Sequence, residues 1–431
     1  MITDRLRMRP RPGASAAGYL ASRARFGVKL GLEAMGTLLA DLGRPEAPYP
    51  SLLVAGTNGK GSVTAYVDAA LRASGLRVGR YTSPHLVRVH ERICVGGREI
   101  TPRALEAVVG RVRAAAERAV GRGSLTAHPT YFEVLTAAAF ERFRRARVDL
   151  AVLEVGLGGR LDATNVKDPL ASAIVSLDID HEQYLGEGLR AIAREKAGVL
   201  RKGRVTILGP MAREARRAIA EEGRRVGARL VDALEGVEVR SEGEAFDVRT
   251  PRRTYRGVRA LPGAHQRRNA VVAIRLLEAA REAGVAVDLR LVPEAFARAR
   301  WPGRLQWIPG EPPLLLDGAH NPAGARALAA YLEGERPFTL VFGVMGDKDV
   351  GALGRILFPL ADALVLTRPP DPRAATAAQV ARRTAPFSHG AHREDQPRRA
   401  LRLARGLLPP ERPVVVAGSL YLVGEVLRLL E

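Results

Sequence analysis

Nine residues constrain this chain more than any others. Val54-Ala55-Gly56-Thr57-Asn58-Gly59-Lys60-Gly61-Ser62 lies between an apolar strand pattern, Ser51 to Ala55, and a helical pattern, Ser62 to Ala73. A strand that turns through glycines into a helix points several backbone N–H groups and a lysine at one spot, which suits a polyphosphate. The segment therefore reads as an ATP cradle. The common phosphate loop has Ser or Thr straight after its lysine, whereas here Gly61 takes that place and the hydroxyl arrives at Ser62. Glycine also serves tight bends in α/β proteins that bind no nucleotide, so the turn alone leaves both readings open.

The surrounding pattern sets the fold class. Helical periodicity covers Leu30 to Leu42, Ser62 to Ala73, Pro102 to Glu117, Tyr131 to Ala146, Leu189 to Leu200 and Ala212 to Val226. Short apolar runs alternate with it at Leu52 to Ala55, Arg77 to Tyr81, Leu150 to Val155, Ser172 to Leu177 and Val205 to Leu208. Such alternation predicts a mostly parallel sheet covered by helices. Val237 to Tyr255 has β-like alternation, read as a small antiparallel excursion, and helices follow over Arg267 to Ala283 and Pro293 to Arg300. Trp301-Pro302-Gly303 interrupts the rhythm. Strands then follow at Leu314 to Asp317, Phe338 to Phe342, Ala363 to Leu366 and Val414 to Ala417, with a last helix from Leu420 to Leu430. The expected architecture is α/β throughout: a P-loop-type ATPase domain over residues 1–301, then a smaller Rossmann-like domain over 302–431. A length of 431 residues accommodates this, at about 100–200 residues per domain.

Composition excludes some functions. No apolar run approaches the ~18 residues of a membrane span, and Met1 to Pro12 lacks the apolar segment of a signal peptide, so a cytoplasmic protein is expected. One cysteine, Cys94, excludes an internal disulfide and a multi-cysteine metal site. The net charge of +21 invites a nucleic-acid reading, but the positives are spread along the chain without a basic-aromatic platform. Attraction for anionic small molecules is the expectation instead. Of 67 basic residues only six are lysine: Lys29, Lys60, Lys167, Lys196, Lys202 and Lys348. In so Arg-rich a chain, a retained lysine marks a place where a primary amine or compact ammonium is needed, although chance retention explains some of them equally well.

Chemistry-bearing groups gather where strands end, the edge at which open α/β sheets bind ligands. Tyr81-Thr82-Ser83-Pro84-His85-Leu86 follows the second strand, and Ser83 there is either a turn residue or a magnesium ligand. Glu154 ends an apolar strand beside Gly156, Gly158 and Gly159; a carboxylate there is costly to bury without a cation, so it reads as a Mg²⁺ ligand. His181, after Ser176-Leu177-Asp178-Ile179-Asp180, gains a claim to metal if parallel strands set it beside Glu154. Lys196 sits fifteen residues further on in a largely apolar helix, where a salt bridge or a snorkelling side chain is the ordinary reading.

Together Gly56 to Ser62, Thr82 to Leu86, Glu154 to Asn165 and Arg194-Glu195-Lys196-Ala197-Gly198 resemble the Mur ligase superfamily, in its folylpolyglutamate synthase and dihydrofolate synthase branch. Further along, Pro302-Gly303-Arg304, Leu316 to Pro322, Phe342 to Asp349 and Gly418 to Glu425 agree. The resemblance implies an ATP- and Mg²⁺-dependent amide ligase acting through an acyl phosphate, with dihydropteroate, folates, L-glutamate and ATP as substrates. It places Asn58, Gly59, Lys60, Gly61 and Ser62 on the phosphates, with Asn269, Arg304 and Asp317 facing the nucleotide. Ser83, Glu154 and His181 would hold Mg²⁺, and a carbamylated Lys196 would bind a second ion. Thr130, Tyr131, Phe132 and Glu133, with Leu161, Asp162 and Ala163, match segments that contact the pterin. His320 and Ser419 match positions near the incoming glutamate. The implied catalytic set is Lys60, Lys196 and His320; the implied partners are small molecules, with no nucleic acid or membrane, and a monomer is expected.

Several points stay open. Tyr131 and Phe132 are as readily ordinary helix core. Asp178 stands where the family usually has Gly, and His90 where it has Asn or Arg. A monofunctional folylpolyglutamate synthase, a muropeptide-type ligase and a basic nucleic-acid-dependent NTPase remain as alternatives. The last gives no account of Glu154, His181 and Lys196 converging on one sheet edge.

Overall fold

A computed structural model describes residues 15–24, 27 and 31–431. The expected helix start at Leu30, and Lys29, lie outside them.

The first sheet has eight strands: β1 (Ser51–Ala55), β2 (Val78–Tyr81), β3 (Ile93–Val95), β4 (Arg98–Glu99), β5 (Leu150–Glu154), β6 (Ala171–Ile174), β7 (Val205–Leu208) and β8 (Arg229–Asp232). Their spatial order is β4-β3-β2-β5-β1-β6-β7-β8. The six strands from β2 to β8 run parallel, and the β3–β4 hairpin adds an antiparallel edge. Sequence alternation explains how the sheet is covered, because successive side chains point to opposite faces. Leu53 and Ala55 pack into one fully buried cluster, with Val134, Phe140 and Phe143 of the helix Tyr131–Ala146. Leu52 and Val54 pack into the other, between the helices Lys60–Ala73 and Ala264–Glu282. There Tyr66 stacks on Phe296 with ring centroids 4.5 Å apart.

Three short strands, β9 (Glu238–Glu242), β10 (Ala245–Arg249) and β11 (Thr254–Arg259), form the antiparallel excursion. The second large sheet uses β12 (Gln306–Ile308), β13 (Leu314–Leu316), β14 (Thr339–Phe342), β15 (Ala363–Leu366), β16 (His392–Arg393) and β17 (Val414–Ala417), ordered β12-β13-β17-β14-β15-β16. It is parallel apart from β12, and its own two apolar clusters cover both faces. Among the described residues no helix is long and apolar enough to cross a membrane.

Several elements escape the sequence reading: the helix Ala16–Ala24, the β3–β4 hairpin, β8, β12 and β16. Most are edge pieces of two to four residues, too short for periodicity to register. One spatial expectation needs correction. The strand bearing Glu154 and the strand leading to His181 are not neighbours, because β1 lies between β5 and β6. In register Val54 stands opposite Glu154 on one side and Ala173 on the other, so both polar turns flank the glycine-rich turn instead of each other.

Candidate active site

The glycine-rich turn leaves the centre of the first sheet and enters the helix Lys60–Ala73 through Gly59, which is left-handed at φ 81°. Two other residues fit the turn closely. Asn269, on the helix Ala264–Glu282, would bring Oδ1 to 2.6 Å from a Cβ at Gly59, and the Trp301 ring would lie 2.5 Å from one at Gly61. This contact accounts for Gly where the common motif carries a hydroxyl. Ser62, the displaced hydroxyl, is buried and accepts from Gln266 Nε2 (3.1 Å), whose Oε1 in turn accepts from Asn269 Nδ2 (3.0 Å). Gly61→Ala is expected to cost about 1–3 kcal/mol of stability through overpacking and to shift tryptophan emission. An unchanged Tm and spectrum would show that Trp301 simply moves aside.

Lys60 and Lys196 meet on a single backbone carbonyl. Lys60 Nζ donates to Gly56 O and Thr57 O, each at 3.1 Å, and Lys196 Nζ donates to Gly56 O at 2.9 Å. Burial, reinforced by the Lys60 charge, lowers the Lys196 amine to about 7. The amine is thus substantially neutral at physiological pH. Its helix end is held by the loop after β5: Arg160 N–H donates to Glu195 O (2.9 Å), and Asn165 Nδ2 donates to Gly159 O and Gly198 O, both 2.9 Å. That loop runs from Glu154 to Asn165, which explains why its glycines and the Lys196 helix belong to one structural unit.

Glu154 is 4% exposed and, among the described residues, forms no salt bridge. Among the described residues its one protein hydrogen bond comes from the Ser83 backbone N–H to Oε2 (3.1 Å). Burial raises its pKa against the opposing pull of Lys60, the Ser83 N–H and Arg304. A buried carboxylate left this short of partners suits a divalent ion. Among the described residues no three His, Cys, Asp or Glu side chains cluster tightly enough to cage one, so Glu154, His181 and the Ser83 hydroxyl would leave positions for ligand oxygens. His181 is left-handed at φ 58°; burial lowers it to about 4 and keeps its ring neutral, the form that binds metal.

Asp180, next to it, bridges to the second domain. It accepts from Lys348 Nζ (2.7 Å) and Asn321 Nδ2 (3.2 Å), and His320 Nε2 stands 3.8 Å away. Burial pushes the Asp180 carboxyl up, but His181, the Lys348 ammonium and His320 together hold it well below the usual carboxylate range. Asp178, the departure from the family's glycine, faces away: its backbone brackets the Thr57 hydroxyl at 3.2 Å on both sides, and its carboxylate points toward Arg326 at 3.9 Å.

From the second domain, Asp317 spends both oxygens on backbone N–H groups, of Leu305 and Ala319, each 2.9 Å. Arg304 is half-buried, its guanidinium drawn down by desolvation and back up by Asp317 and Glu154, and Nη1 donates to Gly303 O at 3.0 Å. His320 Nδ1 lies 2.8 Å from Gly318 O. A carbonyl can only accept, so Nδ1 carries the proton, and burial lowers the ring's pKa so that Nε2 keeps its lone pair. Ser419 is buried and caps the helix Leu420–Leu430 by accepting from Tyr421 N–H (3.1 Å).

A cavity of about 530 Å³ opens between the domains. Ser83, His181, Thr130, Phe132, Glu133 and Leu161 to Ala163 line it from the first domain, and His320 and Ser419 from the second. Tyr131 is not among its walls; it lies under the Arg92 guanidinium, 5.4 Å from the ring centroid. Two acids in the segments matched to pterin contact, Glu133 and Asp162, are committed locally. Glu133 Oε2 accepts from Thr130 N–H (2.7 Å) while Thr130 Oγ1 accepts from Glu133 N–H (3.3 Å), a capping box that starts the helix Tyr131–Ala146. Asp162 accepts from the N–H groups of Gly156 (3.0 Å), Leu157 (2.9 Å) and Thr164 (2.9 Å). The Thr-x-x-Glu spacing carried that signal already.

Arg92, Lys348, Arg373 and Tyr421, which carry no role in the sequence motifs above, also line the cavity. Lys348 had a signal in the scarcity of lysine. Lys167, another of the six, donates to Glu46 O and Tyr49 O and serves structure.

Known proteins share this architecture. Residues 303–420 match the family described as Mur ligase, glutamate ligase domain. The chain is 33% identical to the dihydrofolate synthase/folylpolyglutamate synthase of Bacillus subtilis, across 96% of this chain and 98% of that protein. It is 37% identical to the probable bifunctional folylpolyglutamate synthase/dihydropteroate synthase of Haloferax volcanii across 95% of this chain, and spans about half of that longer protein, 49%. Its structure resembles Mycobacterium tuberculosis folylpolyglutamate synthase complexed with ADP (TM-score 0.89, 33% identity, 95% of this chain and 96% of that one). It also resembles E. coli FolC in complex with DHPP and ADP (TM-score 0.86, 31% identity, 98% and 99%). A third neighbour is a bifunctional folylpolyglutamate synthase/dihydrofolate synthase with Mn, AMPPNP and L-glutamate bound (TM-score 0.84, 30% identity, 97% and 98%).

Proposed function

The chain belongs to the dihydrofolate synthase/folylpolyglutamate synthase family, and from that premise we propose that it is an ATP-dependent ligase joining L-glutamate to dihydropteroate and to folates. The observation that carries this reading is the shared cavity, which brings the first domain's sheet edge and the second domain's His320 and Ser419 to one space. A carboxylate oxygen of the acceptor takes the γ-phosphoryl group and ADP departs. Glutamate's amine nitrogen then attacks the acyl carbon, phosphate leaves with the former carboxylate oxygen, and the amine gives up a proton.

Each residue's part follows from its surroundings. Lys60 and the N–H groups of Gly59, Gly61 and Ser62 receive the phosphates, while the Asn58 N–H is held by Ser176 Oγ at 3.1 Å and so supports the turn instead; Asn269, Arg304 and Asp317 border the nucleotide. Ser83, Glu154 and His181 would hold a divalent ion, whose charge would screen the repelling oxygens of carboxylate and phosphate. The Lys196 amine, being neutral, adds to carbon dioxide and releases a proton, and the carbamate so formed is an anion able to hold a second ion. Phe132 offers its ring to a flat heterocycle. Thr130, Glu133 and Asp162 act by fixing the backbone on either side, and Tyr131 supports Arg92. His320, with Nδ1–H tied to Gly318 O, presents Nε2 to accept the amine's proton.

ADP release with dihydropteroate or tetrahydrofolate is expected only when glutamate is present. ADP release without glutamate on both acceptors would sink the reading. Activity on tetrahydrofolate alone would mark a monofunctional folylpolyglutamate synthase.

A further inference from the structure

One buried side chain at the domain junction has no part in the chemistry above. Asn321 is 3% exposed and caps the helix Pro322–Leu332, its Oδ1 accepting from Gly324 N–H at 2.9 Å. The same amide reaches into the first domain. Nδ2 donates to Asn58 Oδ1 (3.0 Å) and to Asp180 Oδ2 (3.2 Å), and Asn58 Nδ2 donates back to Oδ1 (3.3 Å). A carboxamide has two N–H donors and an oxygen with two lone pairs; all four are engaged. Asp180 is fixed on its other oxygen by Lys348.

Three segments thereby converge on one amide: the glycine-rich turn through Asn58, the turn after β6 through Asp180, and the Asp317–His320 turn that Asn321 follows. We propose that Asn321 is a positioning residue, registering the His320 turn of the second domain on the phosphate-binding turn of the first. This rests on the ligase reading, in which the phosphoryl donor and the amine's proton acceptor come from different domains. The chemistry singles out asparagine. Aspartate would keep the cap but lose both donors and set a second carboxylate against Asp180. Serine would keep the cap and span neither partner.

The test compares Asn321→Ser and Asn321→Asp with wild type in the full chain. Hydrogen exchange without ligands over residues 51–62 is expected to quicken about fivefold or more in both variants, as the turn loses a fixed neighbour. The kcat for ADP formation is expected to fall about 10- to 100-fold, as displacement of about 1 Å does. Far-UV circular dichroism and the KM for ATP should stay close to wild type, with the larger kcat loss in Asn321→Asp. Exchange and kcat within twofold of wild type in both variants would overturn the inference. So would a kcat loss fully matched by a smaller folded fraction, since that is what a helix cap alone gives. If wild type itself forms no ADP the ligase reading fails, and the exchange comparison still decides the role of Asn321.

Discussion

Replacing Lys196 by alanine is expected to lower turnover by about two to three orders of magnitude, the range seen when a single preorganised group facing developing charge is removed. Excess formate or acetate is expected to restore part of it, because a small carboxylate can occupy the space where the carbamate's oxygens would stand. The reason lies in the amine's surroundings: burial and Lys60 lower it to about 7, so it is nucleophilic where an ordinary lysine is protonated. Carbamate formation should accordingly quicken as pH rises through about 7. The linked stability has a definite sign. Between about 7 and the ordinary 10.5 the unfolded chain holds a proton that the folded, unmodified chain does not, so stability rises with pH across that window and the full cost of the buried ammonium is present below it. Lys196→Met should flatten that rise. Wild-type activity in Lys196→Ala, or a loss that no short acid relieves, would count against the carbamate.

Glu154→Gln is the second large effect, and it should separate activity from stability. The substitution preserves shape and keeps an acceptor for the Ser83 N–H, yet removes a negative charge whose burial cost outweighs the pull of Lys60, the Ser83 N–H and Arg304. Turnover should drop about 10²- to 10³-fold, and half-saturation by Mg²⁺ should move upward by about tenfold or more as an anionic ligand is lost. Thermal stability should hold or rise, since a charge that folding desolvates at a cost is gone. An unaltered Mg²⁺ titration would remove Glu154 from the ion's neighbourhood.

The parts of the site legible in the sequence are those carried by consecutive residues. The turn from Gly56 to Ser62, the strand that delivers Glu154 and the helix Tyr131–Ala146 with its start at Thr130 could be read because each is a local pattern of apolar period and turn chemistry. Pairings across long sequence separations could not. Nothing local in Asn58 announces Asn321, 263 residues away, and nothing in Asp180 announces Lys348 at a separation of 168. Glu133 and Asp162 show a different limit: an acid next to a binding segment looks free until its backbone partners are placed. Strand order is a third, since alternation of strands and helices predicts a parallel sheet but not that β1 separates the strands bearing Glu154 and leading to His181.

The two bonds from Lys60 Nζ back to Gly56 O and Thr57 O bear on traffic through the enzyme. On the proposed reading, a triphosphate arriving at this turn would exchange one set of lysine contacts for another instead of gaining contacts outright, which would temper nucleotide affinity. After each round the spent diphosphate would compete with ready-made internal acceptors for the same ammonium, which would ease its exit.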